Sequence, residues 1–147
     1  LVIQDGASAI ELPAHAGSMV GQATVAHIGF TVGWKGTDSC LAWTFRVKTP
    51  GTYDVTAVTR ANRDRLEKFG NHELRVELGE SRIAAPVGVR DADPSESAEM
   101  WQEPQSRVGQ LRIDDAGEHT LSVAAERVDE AAERGLCLKG ITLTPVG

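Results

Sequence analysis

Cysteine is nearly missing. Cys40 and Cys137 are the only two in 147 residues, too few to staple a disulfide scaffold. No spacing of Cys and His offers a structural zinc site either. Long apolar runs are absent: no stretch approaches the roughly 18 residues that a membrane-spanning helix needs. Positive charge is in deficit, with 15 basic against 21 acidic residues and a net charge of −6. That balance argues against a nucleic-acid partner, because a phosphate backbone calls for a basic face. The one basic cluster, Arg60, Arg63, Arg65 and Lys68, is interleaved with Asp64 and Glu67 and is close to balanced. Catalytic signatures are lacking as well: there is no G-x-S-x-G, no H-E-x-x-H and no P-loop. No residue is therefore assigned a catalytic role. The chain opens Leu1-Val-Ile-Gln-Asp5, with neither Met nor a basic n-region, and reads as a piece cut from a longer protein. On that reading the missing signal says nothing about export.

What is present is strand pattern. Leu41, Trp43, Phe45 and Val47 alternate with Ala42, Thr44 and Arg46, the two-residue period of a half-buried strand. Lys48-Thr-Pro-Gly51 supplies turn chemistry, and Tyr53, Val55 and Ala57 restart the alternation. Further strands are expected over 9–12, 24–32, 73–78, 82–87, 108–113, 119–124 and 136–144. A hairpin is expected at Gly79-Glu80. Many short strands between turn signals predict an all-β chain, an antiparallel β-sandwich of jelly-roll type. The length suits one domain over 1–147 with a single core. Two segments have helical composition, Asn62–Phe69 and Glu126–Arg134. Both are read as loops with helical turns, since isolated helices this short are marginal. The polar stretch Gly88–Ser106 is the least strand-like, and loops of such length usually serve a function or move.

Trp43-Thr-Phe-Arg-Val47 followed by Pro50-Gly-Thr-Tyr-Asp-Val55 resembles the signature of galactose-binding-like β-sandwiches. These include carbohydrate-binding modules and domains C-terminal to bacterial α-L-fucosidases. Val108-Gly-Gln-Leu-Arg-Ile113, Ala116-Gly-Glu-His-Thr-Leu-Ser-Val123 and Leu138–Val146 resemble later strands of the same family. The resemblance implies a non-catalytic accessory module of a secreted or cell-surface glycoside hydrolase, an α-L-fucosidase by preference. Its partners would be a glycan and the parent's catalytic domain, and the isolated domain would be a monomer. The alternative is a structural domain that packs against the catalytic domain and binds no sugar.

The resemblance also implies that the strand opening at Cys40 lies beside the last strand. Cys40 and Cys137 would then be within reach of a disulfide; the other reading is two partly buried thiols. His119 matches a strand-entry position where histidine serves as a structural hydrogen-bonder. Related modules hold a calcium ion near the N-terminus. Glu11 is present here, but Lys139-Gly140 stands where an acidic ligand is wanted, so neither a metal nor any other cofactor is assigned.

Binding then falls to aromatic and polar loop residues. Trp43 shares a face with Leu41 and Phe45 and is read as core. Trp34 and Trp101 lie outside any clear buried alternation. An indole face suits the C–H face of a pyranose, while neighbouring polar groups bond its hydroxyls. The ligand-binding candidates are Trp101, Trp34, Arg60, Asn62 and His72, with Asp38 and Glu103 as lesser polar partners. The competing reading has both tryptophans capping the sandwich ends or meeting a neighbouring domain.

Overall fold

A computed structural model describes residues 1–146. Its architecture is two packed β-sheets. The first sheet is built on β6 (Cys40–Val47), β13 (Gly117–Arg127), β9 (Asn71–Leu78) and β10 (Ser81–Gly88), side by side in that order. Short β1 (Val2–Ile3) and β3 (Ser18–Val20) both pair with β6. The second sheet runs β12 (Gln105–Ile113), β7 (Gly51–Thr59), β14 (Leu138–Pro145) and β2 (Ile10–Pro13). Pairing is antiparallel throughout except for β1, which lies parallel to β6. The expected all-β antiparallel sandwich is the fold of this chain.

Alternation explains the core. Leu41, Trp43, Phe45 and Val47 of β6 bury one face, as do Leu121, Val123 and Ala125 of β13 and Leu74 and Val76 of β9. Tyr53, Val55 and Ala57 of β7, with Ile141 and Leu143 of β14, meet them from the opposite sheet. Trp43 is core, as read from its period, and its Nε1 donates to Pro13 O at 2.7 Å. Tyr53 is buried and donates its hydroxyl proton to Thr49 O, while Gln4 Nε2 donates to the Tyr53 oxygen at 2.8 Å. Gln4 Oε1 accepts from the amides of Lys48 and Thr49, so this buried amide ties the N-terminal segment to the Pro50-Gly51 turn. His119 bonds Asp115 O at 2.7 Å where β13 begins, the structural role its position implied.

The strand directions place the connections unequally. Antiparallel β6–β7, β9–β10 and β12–β13 are joined by tight turns at residues 48–50, 79–80 and 114–116. The hairpin at Gly79-Glu80 forms as expected, with Leu78 opposite Ser81 and Gly79 at φ 60°. The other end of the sandwich gathers the long connections, residues 14–39, 60–70, 89–104 and 128–137. Within them lie two small ribbons. One pairs β4 (Thr24–Val25) with β5 (Thr31–Val32); the other pairs β8 (Ala61–Asn62) with β11 (Trp101–Gln102).

Three expectations need correction. The strand expected over 24–32 is instead this β4–β5 ribbon. It turns at 26–30, where Ala26 N donates to Phe30 O at 2.8 Å and Gly29 takes φ 96°. The segment 126–134 is not helical: β13 continues through Arg127, and turns follow. The strand opening at Cys40 does not lie beside the last strand, and of the two readings of the cysteines the pair of partly buried thiols is the one seen. β6 lies beside β13 while β14 lies between β7 and β2, so Cys40 and Cys137 sit in different parts of the sandwich as free thiols. The segment 62–69 does hold helical turns, a 3₁₀ turn at Arg63–Arg65 and the single α-turn α1 (Leu66–Phe69).

Candidate functional site

The long-loop end holds a concave pocket of about 420 Å³. Its aromatic wall is Phe30, Phe69 and Trp101; its cationic groups are Lys35, Arg60 and Arg134. Each side chain arrives for a local reason. Phe30 closes the 26–30 turn of the β4–β5 ribbon. Thr31 fixes that ribbon to the neighbouring loop, donating from Oγ1 to Leu136 O at 2.8 Å and accepting from Leu138 N at 2.9 Å. Leu136 N in turn donates to Trp34 O at 2.9 Å. Gly135, at φ 68°, lets these two backbones meet: a Cβ there would stand 2.4 Å from Trp34 O.

Trp101 is held by its own loop. Its backbone pairs with Asn62 across the β8–β11 ribbon, and Arg63 N donates to Met100 O at 2.7 Å. Arg63 Nη1 reaches Glu96 O and Ala98 O at 2.9 and 2.7 Å. Gln102 Nε2 donates to Asp93 O and Glu99 O, at 2.7 and 2.9 Å. The polar stretch 88–106 is thus laced into shape by Arg63 and Gln102. Its product is a half-exposed indole, 50% accessible, standing edge-on to Phe69 with ring centroids 6.1 Å apart.

Arg60 lies between two rings. Its guanidinium carbon is 4.2 Å from the Trp101 ring centroid and 4.5 Å from that of Phe30. Such stacking is favourable, by roughly 0.5–2 kcal/mol per contact depending on desolvation. Arg60, Lys35 and Arg134 make no ion pair among the described residues. Glu133 is the one carboxylate of the lining, and it faces Lys68 at 3.6 Å. In a chain of net charge −6 this pocket is locally rich in hydrogen-bond donors that have no acceptor.

The structure therefore brings together two of the expected ligand residues, Trp101 and Arg60. It places the other three elsewhere. Trp34 is fully buried, at 0% accessibility, so it is a core residue and offers no face for stacking. Only its backbone neighbours Gly33 and Lys35 reach the pocket. His72 is buried beneath the loops: Nε2 donates to Phe69 O at 2.7 Å and Nδ1 accepts from Asp129 N at 3.0 Å. Burial lowers its pKa and keeps the ring neutral. Asn62 is buried and caps the 3₁₀ turn, its Oδ1 accepting from Asp64 N at 2.9 Å. Asp38 is exposed and outside the lining. Glu103 lines a neighbouring cleft rather than the pocket, and its Oε2 lies 3.8 Å from Lys139 Nζ.

Phe30, Phe69, Lys35 and Arg134 were not foreseen. Gly29 was the available signal for Phe30, since it breaks the run that otherwise reads as one strand. Cys137 forms part of the wall, and burial pushes its thiol up to about 11, leaving it protonated and inert at neutral pH. Among the described residues no three His, Cys, Asp or Glu side chains gather as a metal-binding group.

No family model matches the chain, and no curated protein matches it in sequence. Solved structures do match in fold. A carbohydrate-binding module of family CBM35 from Paenibacillus barcinonensis superposes with a TM-score of 0.60 at 17% identity, covering 95% of this chain and 99% of that one. An α-L-fucosidase from Vibrio sp. strain EJY3 gives 0.66 at 17% identity, covering 99% of this chain and 24% of the enzyme. The insecticidal crystal protein CRY2AA gives 0.69 at 13% identity, covering 97% of this chain and 22% of that one. This chain spans about a quarter of the fucosidase. The fold is thus a β-sandwich shared by a carbohydrate-binding module, part of an α-L-fucosidase and part of an insecticidal crystal protein, so only the site can argue for a ligand.

Proposed function

We propose that this chain is a non-catalytic, carbohydrate-binding accessory module of a glycoside hydrolase, and that its sugar site is the pocket formed by Trp101, Arg60 and Phe30. The observation that carries this reading is the Arg60 guanidinium stacked between the two rings. The stack holds the half-exposed indole and leaves cationic donors free around it. A pyranose stacks its C–H face on an aromatic ring and offers hydroxyl or carboxylate oxygens to donors. A concave, mostly apolar site with a few convergent polar groups is what a small ligand requires. Catalysis is not part of this reading. Glycoside hydrolysis uses two carboxylates flanking the scissile bond, whereas this lining offers Glu133 alone, facing Lys68.

The parent enzyme in this reading is an α-L-fucosidase, by motif resemblance and by the fold match to one. The module acts outside the cell or at its surface, as a monomer when isolated, and needs no cofactor. A weak single site helps its parent by raising effective concentration at the substrate.

Tryptophan fluorescence under titration with a sugar panel tests the reading. L-fucose, galactose, mannose, a uronic acid and fucosylated oligosaccharides make a suitable panel. Trp34 and Trp43 are buried, so a ligand-dependent change reports on Trp101. We expect a saturable change that Trp101→Ala abolishes and Arg60→Ala weakens about tenfold, the worth of one stacking contact near the upper end of its range.

A second reading has one observation in its favour. Ile28, Met100 and Trp101 are each about half exposed at the same end of the molecule. Together they would suit docking against the parent's catalytic domain. Silence across the whole panel, with the variants still folded, selects this reading over sugar binding.

A further inference from the structure

Arg60 and Trp101 have concavities on both sides. On one side is the pocket; on the other is a narrow cleft of about 70 Å³ completed by Gln102, Glu103 and Lys139. Glu103 and Lys139 also border a third depression, about 200 Å³, on the outer face of the second sheet. Adjacent concavities thus share two residues each. They form one path from the loop end, over the Arg60–Trp101 ridge, onto the sheet face.

The far end of this path is built by irregular backbone. β14 slips against β7 between Leu138, opposite Thr59, and Gly140, opposite Val58. That bulge leaves Lys139 unpaired in the ladder and half-buried beside the cleft. Gly140 keeps the floor low: a Cβ there would lie 2.5 Å from Leu12 O. Beyond it Glu11 and Thr142 face the same depression. Lys139 and Glu103 are 3.8 Å apart, too far for a hydrogen bond, so both keep capacity to bond a ligand. A donor-only ammonium beside an acceptor-only carboxylate matches vicinal hydroxyls, which both give and take protons.

We infer that the ligand is a linear oligosaccharide of two or more units, with one sugar against Trp101 and Arg60 and the next lying over Glu103 and Lys139, whose charged groups both face it. This rests on the carbohydrate-binding reading above and specifies its substrate class, a chain segment rather than a single terminal sugar.

Isothermal titration of the 147-residue chain tests it with size series: mannose to mannotetraose, galactose to galactotetraose, and L-fucose against a fucosylated trisaccharide. We expect the trisaccharide of the recognised series to bind at least tenfold more tightly than its monosaccharide. Lys139→Ala and Glu103→Gln should remove most of that gain, leave the monosaccharide affinity unchanged and leave the melting temperature near wild type. Equal affinity for one sugar and for three, both lost in Trp101→Ala, would overturn the chain-segment inference while upholding the sugar site. Failure of every saccharide of every length to bind would overturn both.

Discussion

The two ends of this sandwich are made by the same strands and look nothing alike. At one end the chain reverses in two or three residues, and the exposed groups are polar, among them Glu80, Asp114 and Asp115. At the other, four long connections converge and supply three aromatic rings and three cations, none of them in an ion pair among the described residues, to one pocket. Tight turns leave little spare chain with which to bring aromatic and cationic side chains together; long connections do, provided their backbone groups find partners. Here they find them in Asn62, Arg63, His72, Gln102 and Thr31, whose side chains bond loop backbone. The turn end is shaped by backbone turns, whereas the loop end needs buried polar side chains to hold its shape.

Removing one tryptophan within the loop end tests this division most severely. Trp34→Ala deletes a fully buried side chain and leaves a cavity, which we expect to cost about 3–5 kcal/mol. Trp101→Ala trims a half-exposed ring, costs about 1 kcal/mol or less, and abolishes sugar binding. Urea denaturation and the sugar titration measured on both variants would separate the two roles. A Trp34 variant as stable as wild type would contradict the core assignment.

Glycine sharpens the comparison between ends. Gly79 in the tight hairpin and Gly135 beneath the pocket share a left-handed backbone, at φ 60° and 68°. A Cβ at Gly79 meets nothing within 4 Å, while at Gly135 it collides with Trp34 O and with the Lys35 side chain. Gly79→Ala therefore carries the backbone cost alone, about 1 kcal/mol. Gly135→Ala adds a displaced backbone, bringing the loss to about 2–3 kcal/mol. It should also weaken sugar binding, because the chain that moves carries Arg134 and Cys137. Equal losses at the two sites would mean that the loop end yields more readily than its hydrogen bonds imply.

These contrasts also mark what was legible beforehand. The period-two runs at 41–47 and 53–57 and the Gly79-Glu80 turn pointed directly to sheets and hairpins, because alternation and φ > 0 are local properties. Trp43 was readable as core for the same reason. Trp34 was not: it follows a glycine in no alternation, and its carbonyl is held by the amide of Leu136, from the far end of the chain. His72 and Asn62 looked like ligand residues because polar side chains at the ends of strands can face either way. Their partners, Phe69 O, Asp129 N and Asp64 N, exist only once the loops are folded. Phe30 was hidden by an apparent strand that Gly29 breaks. Arg60 and Trp101 were both named as candidates from the sequence, but that they lie against each other is a tertiary fact.

His72 gives the loop end a pH dependence. Burial lowers its folded-state pKa below the usual value of about 6.5. The unfolded chain then binds a proton before the folded one does. The stabilisation is complete above about pH 6.5 and is lost as pH falls through the folded-state value. Thermal melts from pH 7.5 to pH 4.5 should show a falling midpoint, with a shallower fall in His72→Gln. Identical slopes in the two proteins would remove His72 from the account.

The smallest expected effect concerns the face between the two ends. Glu11 lies on the outer side of β2, in a depression it shares with Glu103 and Lys139. Calcium takes six to eight oxygen ligands, and its charge is opposed by a neighbouring ammonium. Lys139 already stands 3.8 Å from the Glu103 carboxylate, so a cation arriving there would have to displace it. We expect dialysis against EDTA to move the melting midpoint by less than about 1 °C, a fraction of a kcal/mol for a domain of this size, and to leave the sugar titration unchanged. A fall of several degrees restored by calcium chloride would show that the carboxylates of this face hold a metal despite Lys139. The far end of the saccharide path would then be a cation-bridged subsite rather than one built from an ammonium and a carboxylate.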